Sequence, residues 1–181
     1  METIYTTSAY AGQLFTRTFS KEAFLDDAQR SGARALRVQT RFFPERAMYW
    51  TRMFRDAAAK RGMDLAAIEL SSELLGGEEA VNAQRANLSE WIRIAALSRI
   101  GRVMVRVDGA GDSADARRRL VSALEPLTGD IKQYGVKLVL ASGSAALDDA
   151  QLLEAAKALG YDVCRVHFAG EAKGTDKLWE G

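Results

Sequence analysis

The sequence is short of several things that would narrow its chemistry at once. It has a single cysteine, Cys164, so neither an intrachain disulfide nor a zinc site built from several thiolates can form. Its single histidine, His167, rules out a histidine-rich zinc site. With 25 Lys+Arg against 24 Asp+Glu, it lacks the basic excess typical of nucleic-acid and anionic-membrane binders. No apolar run approaches the roughly 20 residues of a membrane-spanning helix. The opening METIYTTSAYAGQ has no basic start followed by an apolar stretch, so the sequence predicts no secretory leader and a cytoplasmic location. The expected partner is a small molecule, with no nucleic acid and no membrane.

What is present is a rhythm. Five amphipathic stretches end in glycine and run into a short β-rich segment: SGARALRVQ at Gly32, RGMDLAAIEL at Gly62, IGRVMVRVD at Gly101, YGVKLVLAS at Gly135 and LGYDVCRVHF at Gly160. Glycine after a helix supplies the left-handed cap, and the apolar run that follows reads as a strand buried on both faces. Helix, glycine, strand, repeated, is the pattern of a mostly parallel α/β sheet.

Strands are expected near 3–8, 34–39, 64–70, 102–107, 136–141 and 162–168. Helices are expected near 21–31, 45–61, 87–100, 113–134 and 146–159. Ser20 reads as a helix cap with Phe19 and Phe24 as its hydrophobic staple, and Asn87 with Glu90 has capping-box spacing. Pro126 should kink or divide its helix. The insert SSELLGGEEAVNAQRA reads as added helix or loop, and the tail EAKGTDKLWEG shows no further helix. No linker divides the chain, so residues 1–181 are expected to form one domain. Two architectures fit: an incomplete parallel (β/α) barrel of about six strands, and an open doubly wound parallel sheet. The dinucleotide fingerprint G-x-G-x-x-G is missing after the first strand.

The runs FLDDAQRSGARALRVQ, FRDAAAKRGMDLAAIEL and IKQYGVKLVLA together resemble the xylose-isomerase-like TIM barrels, over about residues 20 to 141. That resemblance favours the barrel, shortened from the usual eight units. It implies isomerase, epimerase or lyase chemistry on a sugar, a sugar phosphate or another small polyhydroxylated carbonyl compound. In that family a metal-binding glutamate usually ends the fifth strand. Here the position is Ala141, whose methyl group cannot bind a metal.

In a parallel α/β fold the chemistry sits at the carboxyl ends of the strands. This selects Thr7, Ser8, Gln39, Arg41, Glu69, Ser71, Arg106, Asp108, Ser142, Ser144, His167 and Glu171. His167 or Glu69 is the candidate base for proton abstraction next to a carbonyl. Asp108, His167 and Glu171 are candidate ligands for a divalent metal (Mn²⁺, Mg²⁺, Co²⁺ or Zn²⁺), with Glu69 and Glu73 as further oxygen donors. Arg37, Gln39, Arg106, Ser142 and Ser144 are candidate substrate contacts. Strand alternation places Arg37 and Gln39 on one face, where a buried arginine needs either an anionic ligand or an internal salt bridge to Glu69 or Asp108. The aromatic group Phe42, Phe43, Tyr49 and Trp50 reads as helix-to-sheet packing, and Arg117–Arg119 as a solvated helix face. Unpaired edges of a short barrel predict a homo-oligomer or a completing chain. The other reading is a catalytically inert barrel fragment, designed scaffold or assembly module, which Ala141 favours.

Overall fold

A computed structural model of the chain describes residues 2–107, 113–142, 149–163, 167–168 and 175–178. The glycine junctions behave as their chemistry requires at four places: Gly32, Gly62, Gly135 and Gly160 all have φ between 64° and 74°. They follow α2 (Lys21–Arg30), α3 (Met48–Ala59), α6 (Thr128–Tyr134) and α7 (Asp149–Leu159). The remaining junction is different. After α4 (Glu78–Leu97) the left-handed residue is Arg99, at φ 58°, and not Gly101. Ile100 N–H closes back on the Ala95 carbonyl at 2.8 Å, and the Ile100 side chain is buried behind it.

Ser20 caps α2, its Oγ accepting from the Ala23 N–H, and Phe19 packs on Phe24 with ring centroids 6.3 Å apart. The capping box expected at Asn87 does not form. Helix α4 begins at Glu78 after Gly77, and Asn87 sits in its interior, where its Oδ1 accepts from Arg46 at 2.8 Å. The segment EEAVNAQRA is rich in good helix formers and puts two glutamates in the first turn, where the helix dipole favours them. Pro126 divides its helix, as expected, into α5 (Ser113–Leu124), a single 3₁₀ turn (Glu125–Leu127) and α6. A 3₁₀ turn (Thr7–Tyr10) and α1 (Ala11–Phe15) fill the segment after the first strand.

Strands β1 (Glu2–Thr6), β2 (Ala35–Gln39), β3 (Asp64–Ser72), β4 (Arg102–Val107), β5 (Lys137–Ser142) and β6 (Asp162–Val163) are parallel, each paired with the next in chain order. A doubly wound sheet reverses its order at a switch point. These six strands show no reversal, which overturns the open-sheet alternative. Right-handed crossovers then place the helices on one face and leave the other as a barrel interior.

Within the sixth expected strand, near 162–168, the described residues form β6 and β7 (His167–Phe168). The tail is a strand as well, β8 (Thr175–Leu178). β8 runs antiparallel to β1, and β7 antiparallel to β8, giving the order β6-β5-β4-β3-β2-β1-β8-β7. The outer edge of β1, the first of the six parallel strands, is therefore covered within the chain. β6 and β7 are the two edges of the sheet and consecutive in sequence. The four residue steps from Val163 to His167 span at most about 14 Å, so the sheet must curl until its edges approach. Among the described residues no ladder joins them and the sheet is not closed, as in an incomplete barrel.

Alternation sorts the strand residues into two layers. Leu36, Val38, Ile68, Leu70, Val105 and Leu140 pack outward in the main core with the helices. Ile4, Ala35, Ala66, Met104, Val139 and Ala141 form a separate buried cluster on the inner face. One irregularity decides the site. Leu36 pairs with Leu65 but Arg37 pairs with Ala67, so β3 bulges by one residue. Without that bulge Ile68 would turn inward and Glu69 toward the helices. With it, Glu69 stands opposite Gln39 on the inner face.

Candidate functional site

Strand parity and the bulge bring Arg37, Gln39, Glu69 and Arg106 together at the carboxyl ends of β2, β3 and β4. Arg37 and Glu69 are 0% and 1% exposed, and Arg37 Nε stands 2.8 Å from Glu69 Oε2. The contact is an ion pair by distance, its angle outside hydrogen-bond geometry. The far end of the Arg37 guanidinium reaches the Thr6 hydroxyl at 3.4 Å and the Met104 sulfur at 3.5 Å. Glu69 Oε1 accepts from Gln39 Nε2 at 3.2 Å and from Arg106 Nε at 3.2 Å, with Arg106 Nη2 at 3.1 Å. Gln39 Oε1 accepts from Arg41 Nε at 2.9 Å, and the Gln39 backbone N–H donates to the Thr7 hydroxyl at 2.9 Å.

The question of an anionic ligand or an internal salt bridge is thus answered for Arg37 and in part for Arg106: Glu69 is the internal counterion of both. A carboxylate removed from water needs such partners, because desolvation is otherwise prohibitive. Above the cluster opens a cavity of about 400 Å³, lined by Gln39, Thr40, Arg41, Glu69, Ser71 and Arg106. That is the size and placement of a small-molecule site in a parallel α/β fold.

Of the other sequence candidates, Thr7 braces the β2 backbone and Ser71 lines the cavity. Glu73 is exposed beyond β3 and is not among the residues lining it. Ser142 ends β5, its backbone paired with Val107, and Ala141 is buried opposite Arg106. The backbone of His167 pairs with Lys177, which is itself opposite Thr3. That is the opening end of β1, so the ladders do not bring His167 to the level of Glu69. Asp108, Ser144, Glu171 and Cys164 are outside the described residues. Thr6 and Thr40 were not selected from the sequence. Alternation from Ile4 is the signal that would have found Thr6.

The aromatic group packs as expected in part: Phe43 meets Phe54 and Trp91, each at 5.8 Å between ring centroids, while Tyr49 stays exposed. Arg118 and Arg119 pair with Asp115 on their own helix, and Arg117 with Glu154, on an exposed face. Away from the cavity, Tyr10 donates to Asp27, which also pairs with Arg30. Burial, then the bond to Asp27, raises the Tyr10 phenol far above its ordinary range. The Tyr10 bond, then Arg30, holds the Asp27 carboxyl below the usual carboxylate range.

The sequential parallel strands, the outer helices and the polar cluster at the carboxyl ends define an incomplete parallel α/β barrel. Its fold is that of the xylose-isomerase-like TIM barrels. No family model matches the chain, and no curated protein matches it. Among solved structures it resembles an IOLI protein with a bound zinc atom (TM-score 0.69, 12% identity, 94% of this chain and 65% of that one). It also resembles the probable 3-DHS dehydratase AsbF from Bacillus anthracis (TM-score 0.66, 11% identity, 92% and 62%). A third is a D-psicose 3-epimerase with D-tagatose from Clostridium cellulolyticum (TM-score 0.63, 9% identity, 81% and 57%). The chain spans less than two thirds of the length of each. At these identities the likeness is one of fold.

The zinc of the first relative raises the question of a metal. Among the described residues no three His, Cys, Asp or Glu side chains converge. The one carboxylate lining the cavity is already held by two guanidiniums, which would repel a divalent cation. The described part of the site does not fit a metal.

Proposed function

We propose that the chain binds a small polyhydroxylated carbonyl compound, a sugar or sugar phosphate, at the carboxyl ends of β2–β4 and moves a proton next to its carbonyl. The observation that carries this is the Glu69 carboxylate, held by Arg37 and Arg106 on the floor of a cavity of about 400 Å³. In this reading Glu69 takes the proton from the carbon beside the carbonyl. The electron pair moves to the carbonyl oxygen, and the enediolate that results is balanced by Arg106. Returning the proton to the former carbonyl carbon, while the hydroxyl proton passes from one enediolate oxygen to the other, isomerises the substrate; returning it to the opposite face of the carbon it left epimerises it. Arg37 positions Glu69, while Gln39 and Ser71 meet hydroxyl groups. Ser142 and Ser144 stand in the same reading as further hydroxyl contacts.

His167 is the other candidate base. Asp108, His167 and Glu171 are the groups through which a divalent metal would enter. The test is exchange of the substrate C–H proton with D₂O, followed by NMR over a panel of ketoses and their phosphates. Loss of exchange in Glu69→Gln, with the fold retained, supports the assignment. Exchange that survives in Glu69→Gln and disappears in His167→Gln moves the base to His167. Stoichiometric metal in purified protein, lost in Asp108→Ala, supports a metal site.

A second reading has its own observation. Both Glu69 oxygens are engaged by Arg37, Arg106 and Gln39, and a buried Ala141 faces Arg106. This fits an inert barrel fragment or assembly module whose inner polar cluster is structural. No exchange and no binding across the panel would favour it.

A further inference from the structure

One cation at the cavity has no task in the reading above. Arg41 follows β2 at the rim, and two uncharged contacts hold it. Its Nε donates to Gln39 Oε1 at 2.9 Å, and its guanidinium carbon stands 5.6 Å from the centre of the Phe42 ring. Phe42 is buried, so this support is fixed. Among the described residues no carboxylate pairs with Arg41.

Gln39 is fixed from both sides. Its amide nitrogen donates to Glu69 and its carbonyl accepts from Arg41. The rim guanidinium is therefore tied, through one amide, to the buried ion pair below it. An exposed arginine normally surrenders considerable rotamer freedom on binding. Here part of that ordering is already present, and the cation borders the cavity instead of an acidic neighbour.

We infer that Arg41 reads an oxyanion, a carboxylate or a phosphate, carried by the ligand of this cavity. The inference rests on the reading of the cavity as the ligand site. A guanidinium fork matches the oxygens of either group, and the Thr40 and Ser71 residues lining the same cavity add hydroxyl donors. The polyol end of the ligand then extends over Gln39 toward Glu69. Arg41 is exposed, so its substitution leaves the core intact.

The test is calorimetric titration at low ionic strength with three probes: inorganic phosphate, glycolate and D-fructose. Wild type is compared with Arg41→Ala and Arg41→Lys. Charge-assisted bonds of this kind predict affinity for phosphate or glycolate about tenfold or more weaker in Arg41→Ala. Arg41→Lys should recover part of it, as a point charge without the fork. D-fructose, which carries no anionic group, should lose much less affinity than either anion in both variants. Tighter binding of phosphate than glycolate identifies a phosphate ester as the natural group, and the reverse a carboxylate. Wild type that binds neither anion, or Arg41→Ala that binds them unchanged, overturns the inference. If fructose still binds in that case, the ligand-site reading survives without it. If an anion binds through Arg41 and fructose does not, the anion site stands and the sugar reading falls.

Discussion

Arg37 and Glu69 form an ion pair on neighbouring strands, 2.8 Å apart, with Arg37 fully buried and Glu69 showing only its edge to the cavity. Removing Glu69 takes from the fully buried Arg37 guanidinium the carboxylate beside it, whereas removing Arg37 leaves Glu69 with Arg106. Glu69→Leu is therefore expected to destabilise the fold by about 3–5 kcal/mol. The double variant Arg37→Met/Glu69→Leu should recover most of that loss, because hydrophobic groups of similar volume often replace a buried pair at little cost. Urea denaturation of the three proteins checks this. A double variant no more stable than the single one would show that the pair is favourable in its own right.

The left-handed backbone at Arg99 makes an opposite prediction. A side chain in that conformation costs about 1–2 kcal/mol that glycine escapes. Arg99 is exposed, and Arg99→Gly should stabilise the protein by about 1 kcal/mol, or about 2–4 °C in Tm for a chain of this size. Thermal unfolding followed by circular dichroism gives the answer. An unchanged or lower Tm would mean that the Arg99 side chain contributes as much as its backbone costs.

Asp27 sets an acid limb. Its carboxyl is held below the unfolded value near 3.9 by Tyr10 and then Arg30. A lowered folded value means stability that is present above the unfolded value and disappears as pH falls through the folded one. Tyr10→Phe removes the larger cause. The stability difference between wild type and Tyr10→Phe should then be greatest near neutrality and shrink below about pH 4. Denaturation midpoints from pH 7 down to pH 2.5 would expose a constant difference, which would assign the effect to packing alone.

The bulge in β3 predicts sensitivity to length. Deleting Ala66 removes the extra residue and restores plain pairing, with Ile68 still opposite Val38 and Glu69 still opposite Gln39, so this variant should fold. Inserting one alanine between Ala67 and Ile68 instead turns Ile68 inward and Glu69 into the apolar helix layer, and that product should fail to fold. Proton NMR dispersion distinguishes the two, and a dispersed, stable insertion variant would refute the role given to the register.

β8 predicts an oligomeric consequence. Lys177 is paired with both Thr3 and His167, so Lys177→Pro interrupts two ladders and exposes β1. Sedimentation velocity should show association or aggregation beyond that of wild type. Identical sedimentation would mean that β8 is dispensable as a cover.

The legible parts of this chain were the local ones. The glycine junctions could be read because a helix end and the strand after it are set by adjacent residues, and four of the five turned out as such a reading requires. Alternation put Arg37 and Gln39 on the inner face and named Glu69 as a possible partner. The Ala66–Ala67 bulge could not be read, since two alanines carry no mark of an extra residue. Asn87 and Glu90 imitated a helix start because their spacing also occurs in the interior of a long helix. β8 was hidden because its partner strand is at the other end of the chain, where no window of neighbouring residues reaches.

The pairing of β1 with β8 also has a consequence for synthesis. During translation, β1 through β4 leave the ribosome before Thr175–Leu178 exist, so the first strand waits with its outer edge open until that segment is made. Such long-range pairing slows folding and leaves an edge exposed to other nascent chains. Yield in a cell should therefore depend on how quickly β8 is delivered, and slow codons between β4 and β8 should cost more folded protein than the same codons placed before β2.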